Sequence, residues 1–197
     1  MPAEDAAYYA VYERVKVMLI PNDDAQYWAD SNSNCTTVID RDGLTVDDYV
    51  DGESKWYVYG LVQMITTEEL LGEYIDVSGD GKIVLEFEES QNAGYPGTGT
   101  LIKVYDNVTG EMVESFRIII FGDLNGDAYI NAVDVAMATD ESIYVTSWSY
   151  AGSDDYLEYR VLAADVNEDK QIRATDVAII SDHSLLISII NQRLLVE

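Results

Sequence analysis

The sequence is short of several things, and each shortage excludes something. Among 197 residues there is one cysteine, Cys35, so no intrachain disulfide can form, and a lone thiol does not identify a redox compartment. Basic residues are scarce: 11 Lys and Arg stand against 37 Asp and Glu, a formal charge of −26. A surface this negative repels phosphate backbones and anionic lipid, so neither nucleic-acid binding nor membrane attraction is expected. Long apolar runs are missing. Stretches such as Ile118-Ile119-Ile120-Phe121 fall far short of the roughly 20 residues that span a bilayer, so no membrane insertion is expected. There is one histidine, and no H-E-x-x-H, G-x-S-x-G or phosphate-binding glycine loop. Met1 is followed by Pro2-Ala3-Glu4-Asp5, acidic where a secretory leader would be basic. The chain therefore reads as either cytosolic or a piece of a longer secreted protein. Hydrophobic residues make up 48% and aromatics 11%, enough to bury a core despite the acidity. Excess carboxylate suits divalent cations and basic partners.

The first 121 residues read mainly as strands. Residues 11–20 form an apolar stretch with interleaved charges, preceded by an Ala- and Tyr-rich helical turn at 5–10 and closed by Pro21-Asn22-Asp23-Asp24. Residues 35–39 and 55–60 are β-branched and aromatic, which favours strands. Thr66 and Glu69 have the spacing of a capping box, and Leu70, Leu71, Tyr74 and Ile75 follow as an apolar helical face. Strands are expected at 82–88, 99–105 and 111–121, the last two joined as a hairpin through Asp106-Asn107-Val108-Thr109-Gly110. From about Gly122, helical spacing and Asp-dense loops take over. No Pro- or Ser-rich linker separates the halves, so a stiff junction is expected.

An internal repeat dominates the second half. Asp123-Leu124-Asn125-Gly126-Asp127-Ala128-Tyr129-Ile130-Asn131-Ala132-Val133-Asp134 returns 42 residues later as Asp165-Val166-Asn167-Glu168-Asp169-Lys170-Gln171-Ile172-Arg173-Ala174-Thr175-Asp176. Both copies read D-x-N-x-D-x-x-I-x-x-x-D. Ca²⁺ is a hard cation that takes six to eight oxygens, and a 12-residue loop supplies them from positions 1, 3, 5, 7, 9 and 12. In the first copy these are Asp123, Asn125, Asp127, the Tyr129 carbonyl, Asn131 through water, and Asp134. In the second they are Asp165, Asn167, Asp169, the Gln171 carbonyl and Asp176. Neither loop holds His or Cys, which argues against zinc and copper. The plainer alternative is a pair of Asp/Asn turns without an ion, and duplication of one ligand pattern favours calcium. The second copy departs more. Arg173 at position 9 cannot ligate, and Lys170 at position 6, like Ala128 in the first copy, replaces the glycine of a sharp turn. A third near-match, Asp76-Val77-Ser78-Gly79-Asp80-Gly81-Lys82-Ile83, lacks a carboxylate at position 12 (Phe87) and reads as a β-turn.

What precedes each loop separates calcium families. A paired EF-hand needs a helix on both sides of each loop. Before Asp123 stands the strand-like 115–121, whereas 155–164 before the second copy reads as a helix. This second half resembles a dockerin, the calcium-stabilised module that plugs enzymes and scaffoldins of cellulosome-type complexes into cohesins. The likeness rests on Phe121-Gly122-Asp123-Leu124-Asn125-Gly126-Asp127 and the duplicated loop–helix. Trp56-Tyr57-Val58-Tyr59-Gly60-Leu61 and Gly97-Thr98-Gly99-Thr100 carry a weaker likeness to the X-type or immunoglobulin-like modules that precede dockerins. The resemblance implies two modules. Residues 1–121 would be a β-rich sandwich with a short helix, and 122–197 an all-α dockerin with two EF-hand-like loop–helix repeats. It implies a non-catalytic, extracellular, calcium-dependent adaptor with two ion sites, docking a parent enzyme or scaffoldin of polysaccharide degradation onto the cohesin of a scaffoldin or cell-surface anchor.

In familiar dockerins the cohesin contact is often Ser-Thr before position 12 and Lys-Arg one helical turn on. Here the corresponding residues are Ala132-Val133 and Ala174-Thr175, then Thr139-Asp140 and Ser181-Asp182. A cohesin that accepts apolar contacts is implied. The expected face comprises Ala132, Val133, Met137 and Asp140 of the first copy and Ala174, Thr175, Ile179, Asp182, His183 and Leu186 of the second. Because the copies differ, one preferred face is expected rather than two equivalent ones. After the second loop, Val177 and Ile180 form one apolar stripe and Ile179, His183 and Leu186 another, for core or partner. The tail at 185–190 and 194–196 is apolar enough to pack back on the module or the partner. Two rival readings use the same residues. A glycosidase would need two suitably spaced carboxylates among the 37 acids. A carbohydrate-binding module with structural calcium would use exposed Trp or Tyr, although Trp28, Trp56 and Trp148 read more easily as core or surface anchors.

Overall fold

The computed structural model describes residues 17–18, 26–28, 35–39, 45–48, 56–87, 94–152 and 157–192. The expected helical turn at 5–10, the break at Pro21-Asn22-Asp23-Asp24 and the apolar 194–196 lie outside them. Strands follow in chain order as β1 (Val17–Met18), β2 (Gln26–Trp28), β3 (Cys35–Ile39), β4 (Thr45–Asp48), β5 (Trp56–Tyr59), β6 (Ile75–Gly79), β7 (Gly81–Glu86), β8 (Leu101–Asp106) and β9 (Met112–Ile118). Their β-branched and aromatic content is what a pleated, half-buried surface selects. Six of them form one sheet in the order β1-β4-β5-β9-β8-β7, and β2-β3-β6 form a second. Two sheets are what a sandwich requires. The larger is mixed, however, because β5 runs parallel to β9, with Trp56 opposite Phe116 and Val58 opposite Ile118. An immunoglobulin-like sandwich would be antiparallel throughout. A parallel pair needs a long crossover, and the chain between β5 and β9 supplies it.

That crossover begins with α1 (Thr67–Glu69), capped as its sequence predicts: Glu69 donates its N–H to Thr66 Oγ1, and the Glu69 carboxylate accepts from Thr66 N–H. The expected helical face does not continue. The chain widens into a π-helical turn over Leu70–Tyr74, and Ile75 is already extended. Leu70 and Ile75 are both buried, one from the turn and one from β6. The near-match at 76–83 is the corner where the chain leaves β6 in the small sheet and enters β7 in the large one. The β8–β9 hairpin turns as expected. Gly110, at φ +75°, donates to the Asp106 carbonyl, and the Asp106 carboxylate collects the N–H groups of Val108 and Thr109.

Three helices follow: α2 (Ala132–Ser142), α3 (Glu158–Ala164) and α4 (Ala174–Ser184). The two halves share one core. Tyr57, Tyr59, Ile102 and Phe116 of the large sheet lead through Ile118, Ile119, Ile120 and Phe121 to Leu124, Ala138, Leu162 and Ile180. Each fully buried Ile of that bridge stabilises by about 1.5–3 kcal/mol relative to exposure. The junction is therefore a hydrophobic seam, and α2 packs against α4 beyond it.

Candidate functional site

Each copy of the repeat is a loop that runs straight into a helix. The first loop precedes α2 and the second precedes α4. Their backbones repeat as closely as their sequences. Positions 4 and 6 are left-handed in both, Gly126 and Ala128 at φ +77° and +68°, Glu168 and Lys170 at +56° and +69°. The sharp turn is made without glycine at position 6, at a steric cost of about 1–2 kcal/mol per residue. Hydrogen bonds repeat too. Ala128 N–H donates to Asp123 Oδ2 at 3.2 Å, and Lys170 N–H to Asp165 Oδ2 at 2.9 Å. The Asn side chains at position 3 accept from the N–H of Asp127 and Asp169. Asp127 and Asp169 accept from the N–H of Tyr129 and Gln171. Asp134 and Asp176 reach back to the N–H of Asn131 and Arg173. Asn131 also caps α2 through the Val133 N–H.

The carboxylates at positions 1 and 12 of both loops, Asp123, Asp134, Asp165 and Asp176, are all buried. Burying a carboxylate is costly unless it is neutralised, paired or bound to a metal. Asp123 is pushed up to about 7, first by burial and then by the nearby negative charges of Asp134 and Asp127, with the Thr98 and Gly126 N–H groups opposing. Burial also raises Asp134 and Asp176. In the second loop, carboxylate oxygens of Asp165, Asp169 and Asp176 lie within 4.8 Å of one another. Asp176 Oδ1 is buried there without a hydrogen-bond partner. Converging hard oxygens, one of them unsatisfied, fit a divalent hard cation. Among the described residues the first loop is not gathered as tightly, since backbone N–H groups of Leu124, Asn125 and Asn131 hold both Asp134 oxygens. Arg173 does not put its charge into the ring of acids, because its guanidinium donates to the Gln171 side chain at the exposed rim.

Residues 121–186 match the family model of the dockerin type I domain. That segment, a third of the chain, is similar to type I dockerin domains. Its start at Phe121 coincides with the end of the hydrophobic seam. No curated protein and no solved structure matches the chain. Dockerin domains are non-catalytic interaction modules that bind calcium and cohesins, and they occur in secreted components of cellulosome-type assemblies. Calcium, when bound, supplies the positive charge that the buried acids lack.

The residues expected at the cohesin face separate into three groups. Ala132, Val133, Asp140, Ala174, Thr175, Asp182 and Leu186 are exposed, with Val133 at 51% and Leu186 at 82%. Met137 and Ile179 are half-buried and packed on the core. His183 is a correction: it is only 6% exposed and is not on the outer face. Its Nδ1 accepts from Ile190 N–H at 2.9 Å, and its Nε2 lies 3.1 Å from the Gln63 amide nitrogen. A ring at the meeting point of helix, tail and β-rich half is shielded, whatever its helical spacing suggests. Of the tail, Ile190 is buried while Leu185, Leu186, Ile187 and Ile189 stay exposed, and Gln192 brackets the Phe121 backbone, accepting from its N–H and donating to its carbonyl.

Sequence reasoning missed two things. One is Tyr144, 92% exposed and standing 42 residues before Leu186. Both residues are left-handed, at φ +61° and +59°, and both follow helices closed by equivalent bonds, Val145 N–H to the Asp140 carbonyl and Ile187 N–H to the Asp182 carbonyl. The repeat offset was signal enough to find it. The other is a set of contacts from the β-rich half to the first loop, made by Gln63, Met64, Gly97 and Thr98, for which the sequence carries no local pattern.

Proposed function

We propose that this chain is a docking unit in which calcium, bound by both loops, locks α2 and α4 so that they present a face to a cohesin. The ligands are Asp123, Asn125, Asp127, the Tyr129 carbonyl, Asn131 and Asp134 in the first loop. In the second they are Asp165, Asn167, Asp169, the Gln171 carbonyl and Asp176. The observation that carries this is the pair of hydrogen-bond-matched acidic loops, each with its first and last carboxylates buried, inside the segment that matches the dockerin model. The boundary falls between 121 and 122, and the preceding half serves as an X-type spacer. Trp56, half-buried with its indole N–H on Glu114, and buried Trp148 do not offer a sugar-stacking surface. The unit acts outside the cell, attached to a parent enzyme or scaffoldin, and its partner is the cohesin of a scaffoldin or surface anchor.

The docking face is apolar where familiar dockerins are polar. Val133, Tyr144 and Leu186 supply it, with acidic Asp140 and Asp182 at the helix ends. Calorimetric titration against a panel of cohesins, with calcium and with EDTA, tests the reading. One cohesin should bind in calcium and none in EDTA. Equal binding in both, or none in calcium, would reject it.

A further inference from the structure

The duplicated loop is its own internal control. The same sequence pattern folds twice, and among the described residues the first copy lies under the β-rich half and is the more deeply covered of the two. At positions 4, 6 and 8 the first copy buries Gly126, Ala128 and Ile130, while the second leaves Glu168 and Ile172 half-exposed and Lys170 exposed. The covering contacts are specific. Thr98 N–H donates to Asp123 Oδ2 at 2.9 Å, the same oxygen that takes the Ala128 N–H. Met64 N–H donates to the Ala128 carbonyl at 2.9 Å, and Gln63 Oε1 accepts from Ile130 N–H at 2.9 Å. Thr98 is itself fixed, because its hydroxyl donates to the Ile120 carbonyl and accepts from Ile120 N–H. Gly97 permits the approach. A Cβ there would stand 2.3 Å from the Gly126 carbonyl oxygen and 2.7 Å from Asp123 Oδ2.

Groups that hydrogen-bond a metal ligand from behind fix its orientation and tune its affinity. We infer that the β-rich half positions the first calcium ligand, through the Thr98 N–H on Asp123 and the Gln63–Met64 clamp on the loop backbone. Calcium affinity at the first loop therefore depends on residues outside the dockerin segment. This rests on the calcium reading above. Gly97 is a positioning residue in this scheme: it leaves room for the Thr98 N–H to reach the ligand carboxylate and would not touch the ion.

The test uses the full chain and its Gly97→Ala variant. Tyr129 lies in the first loop with Tyr95 packed on it, ring centroids 6.2 Å apart, whereas the second loop contains no aromatic residue. Terbium luminescence excited through tyrosine, competed off with calcium, reads the first loop, and calorimetry reads both. Gly97→Ala should weaken the first loop by about 10- to 100-fold, the range for losing an outer partner of a ligand, and leave the second unchanged. Equal weakening of both loops would mean that the half merely stabilises the fold, and no change at either would remove the contact's role; both overturn the inference. Should Gly97→Ala not fold, Gln63→Leu takes its place, losing the Ile130 bond, with the same outcomes. A wild-type chain that bound neither ion in either loop would instead reject the calcium reading itself.

Discussion

Lys170 sits at φ +69° in the turn of the second loop, where a side chain is strained, and its backbone N–H donates to Asp165, one of the three converging acids. Glycine adopts that conformation freely. Lys170→Gly should therefore stabilise the loop by about 1 kcal/mol and tighten calcium there, read as a higher Tm in calcium and a stronger second step in calorimetry. A lower Tm would mean that the lysine makes a compensating contact. Asp123 gives a pH dependence. Its carboxyl is pushed up to about 7 from an ordinary value of 3.8, chiefly by burial. Without calcium the fold favours the neutral acid. Its contribution to stability is complete below about pH 4 and is lost as pH rises through 7. Asp134 and Asp176 are shifted in the same direction. In EDTA, Tm should fall from pH 5 to pH 8, and in excess calcium the fall should disappear, since the bound cation favours the ionised acids. A chelated protein more stable at pH 8 than at pH 5 would contradict this.

Among the elements, the segment between the two repeats shows how a single side chain organises a long connection. Glu141, buried near the end of α2, accepts from Thr146 Oγ1 at 2.7 Å, from the N–H groups of Trp148 and Ser149, and from the Ser149 hydroxyl. Trp148 is thereby tucked in, with the Arg160 guanidinium of α3 over its ring. Glu141→Ala orphans several donors at once and should cost about 2–4 kcal/mol, measurable by urea unfolding. A loss below 1 kcal/mol would show that water replaces them. On the outer face, Val133→Asp should leave calcium affinity intact and weaken docking, and unchanged docking would move the role to Thr175 and Leu186. The elements whose signals are local were legible in the sequence: the Thr66 cap, the β8–β9 hairpin, strand Cys35–Ile39, and both loop–helix units. What could not be read is non-local. The parallel pairing of β5 with β9 depends on a crossover of some fifty residues. The fate of His183 depends on Gln63 and Ile190, which helical spacing does not contain. At the first loop the acids and Asn125 that the hydrogen bonds draw together could be named from spacing, but Thr98 could not, because a backbone N–H leaves no residue signature.

At the scale of the whole molecule, the net charge of −26 and the shared core pull against each other. Self-repulsion of the acids favours expansion, and calcium, when bound, removes part of it where the acids are most buried. The seam Ile118-Ile119-Ile120-Phe121 carries any change at the loops into the large sheet, with Ile119 N–H on the Val58 carbonyl and Gly122 N–H on the Ala163 carbonyl. Chelation should therefore affect both halves. An ion that binds only the folded state stabilises it by about 2.7 kcal/mol at a concentration one hundred times its Kd. EDTA should lower Tm by several degrees in one transition shared by far-UV circular dichroism and tryptophan fluorescence, because Trp56 lies in the sheet and Trp148 among the helices. Hydrogen exchange gives the finer reading. Amides of 118–122 should lose protection in EDTA together with those of α2, since Leu124 and Ala138 pack on the same core as Ile118. If the sheet kept its full protection while α2 and α4 opened, the seam would join two independently stable modules, and the dependence of the first loop on Thr98 would run in one direction only.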